Sequence, residues 1–188
     1  MADQQRAVGY DGFWARPQDD PRPAGTAAGE LATLRQYLTY FRLTLGMKCE
    51  GLTPEQLATR SVPPSNLSLL GLVRHMARVE HNWFQRSLRG RLDLDRLFWS
   101  PQDKDLDFNG AVADPAVVEE AFRVWRAQIA DADAWLDNLV DLDAIVVTAR
   151  GDEETTIRDI LVHMVEEYAR HCGHADLLRE CIDGRTGL

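Results

Sequence analysis

The chain has 188 residues, 45% of them hydrophobic, and a formal net charge of −9. That length supports one domain with a buried core, and the acidic balance argues against a nucleic-acid groove or an anionic membrane surface as partner. No apolar run approaches the ~20 residues of a membrane span, and the N-terminus lacks the basic-then-apolar form of a signal peptide. Three cysteines, Cys49, Cys172 and Cys181, form no CxxC pair and read as free core thiols in a reducing cytoplasm.

Residues 1–28 carry Pro17, Pro21, Pro23 and Gly25 among Asp and Ala, which predicts an extended N-terminal arm rather than a helix. Phe13 and Trp14 suggest that this arm lies against the body or against a partner subunit. Residues 29–188 are expected to form one all-α domain. Its first helix, opened by Thr26 or Gly29, runs from about Glu30 to Lys48, with Leu31, Leu34, Leu38, Phe41 and Leu45 at helical spacing. Pro54 to Leu57 fits a short helical turn inside a long connection. Ser65 or Asn66 is expected to cap a second helix that ends near Leu88, before Gly90.

The loop from Arg91 to Val112 holds Phe98, Trp99, Phe108 and five aspartates; its length suggests a functional role at a pocket mouth. Asp114-Pro115 marks a third helix to about Leu139, with Val118, Phe122, Trp125, Ile129 and Leu136 inward. Ala144 to Thr148 reads as a short strand. Thr155 or Thr156 then caps the last helix, Ile157 to Asp183. Four long amphipathic helices imply a four-helix bundle, whose metal sites form from inward side chains on facing helices.

The last helix holds three of the five histidines. At about 100° per residue from His163, the residues Ile160, Met164, Tyr168, Ala175 and Leu178 share an apolar stripe between roughly 60° and 140°. His171 falls inside it, Glu167 at its edge, and His163 and His174 on the rim, while Arg170 and Glu180 are read as pointing away. A carboxylate one turn from an imidazole on a buried face needs a partner, because burying a lone charge is costly. Three pairings compete: His163 with Glu167, Glu167 with His171, and His171 with His174. The middle pair lies best on the stripe. On the second helix His75 shares a face with Leu72 and Val79, whereas His81 and Glu80 are read as surface residues. An inward histidine is usually a satisfied core residue, but Glu167 and His171 at i,i+4 present a second half of a chelate. His75, Glu167 and His171 are therefore the expected metal ligands. Zinc suits this nitrogen–nitrogen–oxygen set, with nickel and iron as alternatives, and three ligands leave an open coordination position.

Two long stretches, Leu67-Ser-Leu-Leu-Gly-Leu-Val-Arg-His-Met-Ala-Arg-Val-Glu-His-Asn-Trp-Phe84 and Leu161-Val-His-Met-Val-Glu-Glu-Tyr-Ala-Arg-His-Cys-Gly-His-Ala-Asp-Leu-Leu-Arg-Glu180, closely resemble the DinB superfamily. With the tail Ile182-Asp-Gly-Arg-Thr-Gly187, they are most similar to its actinobacterial, mycothiol-transferase-like branch, formerly a domain of unknown function. The resemblance covers most of the chain from about Glu30. It implies a DinB-like four-helix bundle, a divalent metal held by three residues, mycothiol as co-substrate and a homodimer. Many members use an HxxxH pair in the last helix. Here the pattern is ExxxH, which matches the His/Glu/His set of related mycothiol-dependent maleylpyruvate isomerases, so the ligand set carries over to His75, Glu167 and His171. His174 falls where many relatives have glutamine, and either a substrate contact or support of a ligand fits that position.

A bound divalent cation lowers the pKa of a coordinated water or thiol. The resemblance favours a low-molecular-weight thiol delivered as thiolate to an electrophile. His174, Arg74 and Arg170 are candidates to orient the substrate, with surface charge the competing reading for both arginines. A metal-dependent hydrolase and a non-enzymatic, stress-associated metal-binding dimer are the alternatives.

Overall fold

The computed structural model describes residues 12–149, 151 and 153–187; the first eleven residues of the expected arm lie outside these. Among the described residues the fold is all-α apart from a two-stranded hairpin. Its elements are α1 (Glu30–Cys49), α2 (Pro54–Ala58), α3 (Leu69–Glu80) continuing into a π-helical segment (His81–Ser87), α4 (Leu106–Asn109), α5 (Pro115–Leu136), β1 (Ile145–Val147), β2 (Glu154–Thr156) and α6 (Ile157–Asp183).

Local chemistry accounts for most boundaries. Thr53 and Gln56 form a reciprocal capping box that starts α2. Ser68 accepts from the Gly71 amide at 3.1 Å and starts α3. This corrects the expected cap at Ser65 or Asn66, since Ser68 is the residue whose hydroxyl reaches the third amide of the helix. Asp114, followed by Pro115, accepts from the Ala116 amide and starts α5. Thr156 accepts from the Asp159 amide at 3.1 Å and starts α6. Gly184, at φ 76°, ends α6 in the left-handed conformation that glycine adopts without a Cβ penalty.

The expected strand at Ala144–Thr148 is real and has an antiparallel partner, Glu154–Thr156, which the polar sequence there did not signal. Of the residues expected inward on α5, Trp125 and Leu136 are buried. Val118, Phe122 and Ile129 are half-buried, while Ala121 and Ala132 are fully buried in the core. Helices α1 and α6 pack together, α3 packs on α5, and α3 also meets α6 and α1.

Thus α3 lies at the centre of the bundle, and this overturns two surface assignments. Glu80 is 0% exposed. It accepts two hydrogen bonds from Arg42, both at 2.8 Å, and one from the Tyr168 hydroxyl at 2.7 Å. Trp125 Nε1 donates to the Tyr168 oxygen at 2.8 Å, and Arg42 also reaches Asp133 at 2.7 Å. A buried carboxylate survives because its charge is paired and its oxygens are satisfied. His81 is buried as well, with Nδ1 3.2 Å from Gln128 Oε1 and Nε2 3.0 Å from the Asp95 carbonyl. Neither side chain had a solvent face to occupy, because neighbouring helices and the 91–105 loop surround that helix.

Trp14 of the arm is 3% exposed within its own chain. Its ring lies between the Lys48 ammonium and the Arg185 guanidinium, each 3.9 Å from the ring centroid, with Arg179 at 5.3 Å. Cation–π attraction and burial hold the arm to the body here, so this ring is not left over for a partner subunit. Cys49 and Cys172 are buried, and burial pushes each thiol up to about 12. Cys181 is exposed, correcting its expected core placement, because it lies on the outer face of α6.

Candidate metal centre and adjoining cavity

His75 on α3 and Glu167 and His171 on α6 converge across the bundle. One donor atom from each lies within 4.8 Å of the other two. His171 Nε2 is 3.4 Å from Glu167 Oε2. Two atoms each about 2.1 Å from one tetrahedral ion stand about 3.4 Å apart, so this pair already has the spacing of two ligands on one cation. The His75 and His171 rings meet edge to face, with centroids 4.8 Å apart.

Each ligand candidate is held by a second residue. His75 Nδ1 lies 2.8 Å from Asp107 Oδ2, which leaves Nε2 as the ring atom available to a ligand. Asp107 comes from α4, inside the loop expected at a pocket mouth, and is itself almost fully buried. Burial pulls the Asp107 carboxyl up, but the His75 hydrogen bond and the Arg78 charge outweigh it and hold the group below the ordinary carboxylate range. A carboxylate behind a histidine fixes its tautomer and raises its basicity toward a metal. Phe108 stacks on the other side of the His75 ring at 5.0 Å. Gly71 makes that stack possible, because a Cβ there would stand 2.9 Å from Phe108 Cδ1.

On α6 the hydrogen bond from His171 keeps the Glu167 carboxyl below its usual range against the opposing effect of burial. His163 Nε2 is 3.5 Å from Glu167 Oε1, and its ring meets Trp83 edge to face at 5.0 Å. His174 Nδ1 approaches His171 Nδ1 at 3.3 Å. Burial and the neighbouring His171 hold its imidazole pKa down.

Two imidazoles and one carboxylate, with at least one imidazole pinned from behind, fit a divalent cation of the zinc type. His75 and Glu167 border a cavity of about 670 Å³, walled by the π-helical segment, the 96–108 loop, the hairpin and the first turns of α6. His75, His163 and Glu167 open into it. Its volume is that of a small-molecule site.

The structure does not bring every candidate to this place. Arg74 is buried, donates to the Asp107 and Leu106 carbonyls at 2.9 and 3.0 Å, and lies 4.1 Å over the Phe98 ring. Its guanidinium ties down the loop, and burial overturns the competing reading of Arg74 as a surface charge. Arg170 is exposed, and neither it nor His174 is among the residues lining the cavity. Asp107 is the residue that sequence reading missed: five aspartates share that loop, and nothing in their spacing marks the one that turns inward.

A family described as Mycothiol-S-transferase matches residues 33–184 through its family model. No curated protein matches the chain.

Proposed function

The chain belongs to the mycothiol-S-transferase family, a DinB-like family, and from this we propose that it transfers a low-molecular-weight thiol, mycothiol, to an electrophile at a divalent metal held by His75, Glu167 and His171. The observation that carries the reading is the convergence of these three side chains, two of which, His75 and Glu167, stand on the wall of a cavity large enough for small molecules. Three protein ligands also leave a coordination position for an incoming group.

The chemistry supplied by a bound zinc-type cation is acidification of a coordinated thiol, so that the nucleophilic thiolate exists at neutral pH. The protein's own contribution is orientation. Asp107 keeps the His75 ring in one tautomer, and Arg78, 3.1 Å from the same carboxylate oxygen, keeps Asp107 ionised. His163 steadies the outer oxygen of Glu167, and Trp83 and Phe108 give the cavity apolar walls that exclude water from the thiol.

The test is metal content of the purified protein by mass spectrometry, followed by titration with mycothiol with and without the metal. About one zinc per chain, with thiol binding that requires it, is the expected result. Metal without thiol affinity would redirect the reading to a hydrolase, and no metal after reconstitution would overturn it.

A further inference from the structure

The end of the cavity away from the histidines holds two polar groups that thiol activation leaves unused. Arg86, in the π-helical segment, lines the cavity and is only 8% exposed. Its Nη1 donates to the carbonyl oxygens of Leu92, at 3.3 Å, and Leu94. Nε and Nη2 meet no acceptor among the described residues, and no carboxylate there lies within ion-pair distance. Arg78 in the same wall differs, being paired with Asp107. A guanidinium keeps its proton under all ordinary conditions, so burying one without a counter-ion is unfavourable until an anion arrives.

Thr148, just past the end of β1, lines the same cavity and is 5% exposed. Its Oγ1 is buried with no hydrogen-bond partner among the described residues. Their chain neighbours are hydrogen-bonded, because Ser87 Oγ accepts from the Ala149 amide at 3.0 Å and so joins the residue after Arg86 to the residue after Thr148. Two independent stretches of chain therefore bring unspent donors to the wall of one cavity.

We infer that this end of the cavity is an anion subsite, in which Arg86 and the Thr148 hydroxyl receive a carboxylate carried by the electrophilic substrate. The Nε and Nη2 edge of a guanidinium offers two parallel donors that match the two oxygens of a carboxylate. Glu153 and Asp159 also line the cavity and disfavour a more highly charged group such as a phosphate dianion. Arg86 lies about three helical turns from His75 along the same helix, so a carboxylate bound there is not a metal ligand. The inference rests on the cavity being the electrophile's place, as proposed above, but not on the metal.

The experiment titrates the ¹⁵N-labelled, zinc-loaded full chain with succinate, and with neutral succinamide as control, while following the Arg86 Nε–H and Ala149 amide resonances. Succinate is expected to shift both saturably in the millimolar range, with succinamide inert. Arg86→Gln weakens succinate binding about tenfold or more. Because Arg86 also holds the 92–94 loop, Thr148→Val provides the second arm: binding weakens about threefold while the Tm rises, since an unpartnered buried hydroxyl has been removed. The metal-deficient His75→Ala variant keeps the succinate response. An equal response to succinamide, unchanged affinity in both subsite variants, or a response that vanishes with the metal would each overturn the subsite. Absent mycothiol transfer with an intact Arg86 response would reject the proposed reaction alone.

Discussion

Tyr168 donates its hydroxyl hydrogen to Glu80 at 2.7 Å, while Glu167, one residue earlier on α6, faces the two histidines. The charged centre of the bundle and the candidate metal centre are thus adjacent stripes of one helix. Burial and the Glu80 charge push the Tyr168 hydroxyl pKa well up, so it stays a donor at any physiological pH. Glu80→Ala would leave the buried Arg42 guanidinium with only Asp133 and should cost about 3–5 kcal/mol. Tyr168→Phe should cost about 1–3 kcal/mol, because Trp125 also loses its acceptor. Urea unfolding of the two variants measures both, and a Glu80→Ala loss under about 1 kcal/mol would show that the network does not hold the bundle.

His75→Ala and His171→Ala should each abolish tight zinc binding, and Glu167→Gln should weaken it severely. His81→Gln should bind one zinc as the native chain does. Metal content after dialysis against a weak chelator decides the matter, with equal zinc in all four variants as the contrary result.

Asp107→Asn keeps the shape behind His75 but removes the charge that fixes its tautomer. Zinc affinity should fall about 10- to 100-fold with the ligands intact. Competition against a fluorescent zinc chelator gives the number, and an unchanged affinity would reduce Asp107 to a packing role.

His81 makes a pH prediction with a definite sign. Burial holds its imidazole below the ordinary value of 6.5. At pH values just below 6.5 the unfolded chain therefore binds a proton that the folded chain refuses, and stability falls with pH until the lower folded value is passed. Thermal melts between about pH 7.5 and 5 should show a Tm decline that is shallower in His81→Gln. Parallel curves for the two proteins would exclude His81 as the source.

The long helices were legible because their signals are local. Asp114-Pro115, Thr156 and Gly184 each act within one turn of chain, and α6 runs between the predicted residues, Ile157 and Asp183. The trio His75, Glu167 and His171 was legible because two of its members share one helix face. Glu80 and His81 were misread for a physical reason. Helical projection sorts faces by angle, and it fails on a helix enclosed on every side, where polar groups are buried with partners from Arg42, Tyr168 and Gln128. Asp107, Arg86 and Thr148 were illegible for another reason, since each acquires its role only when a distant segment packs beside it.

The π-helical turn from His81 to Ser87 ties the cavity to helix winding as much as to residue identity. Such a turn holds about one residue more than an α-helical one. That wider winding absorbs the extra residue, so the chain after it keeps its face, whereas α-helical winding of the same residues would turn everything after it by about 100° relative to His75. Arg86 and Ser87 would then swing off the cavity wall, and the Ser87–Ala149 bond that seats the hairpin would be lost, although none of the three candidate ligands had been touched. The winding of one turn thus decides what can be held beside the three candidate ligands.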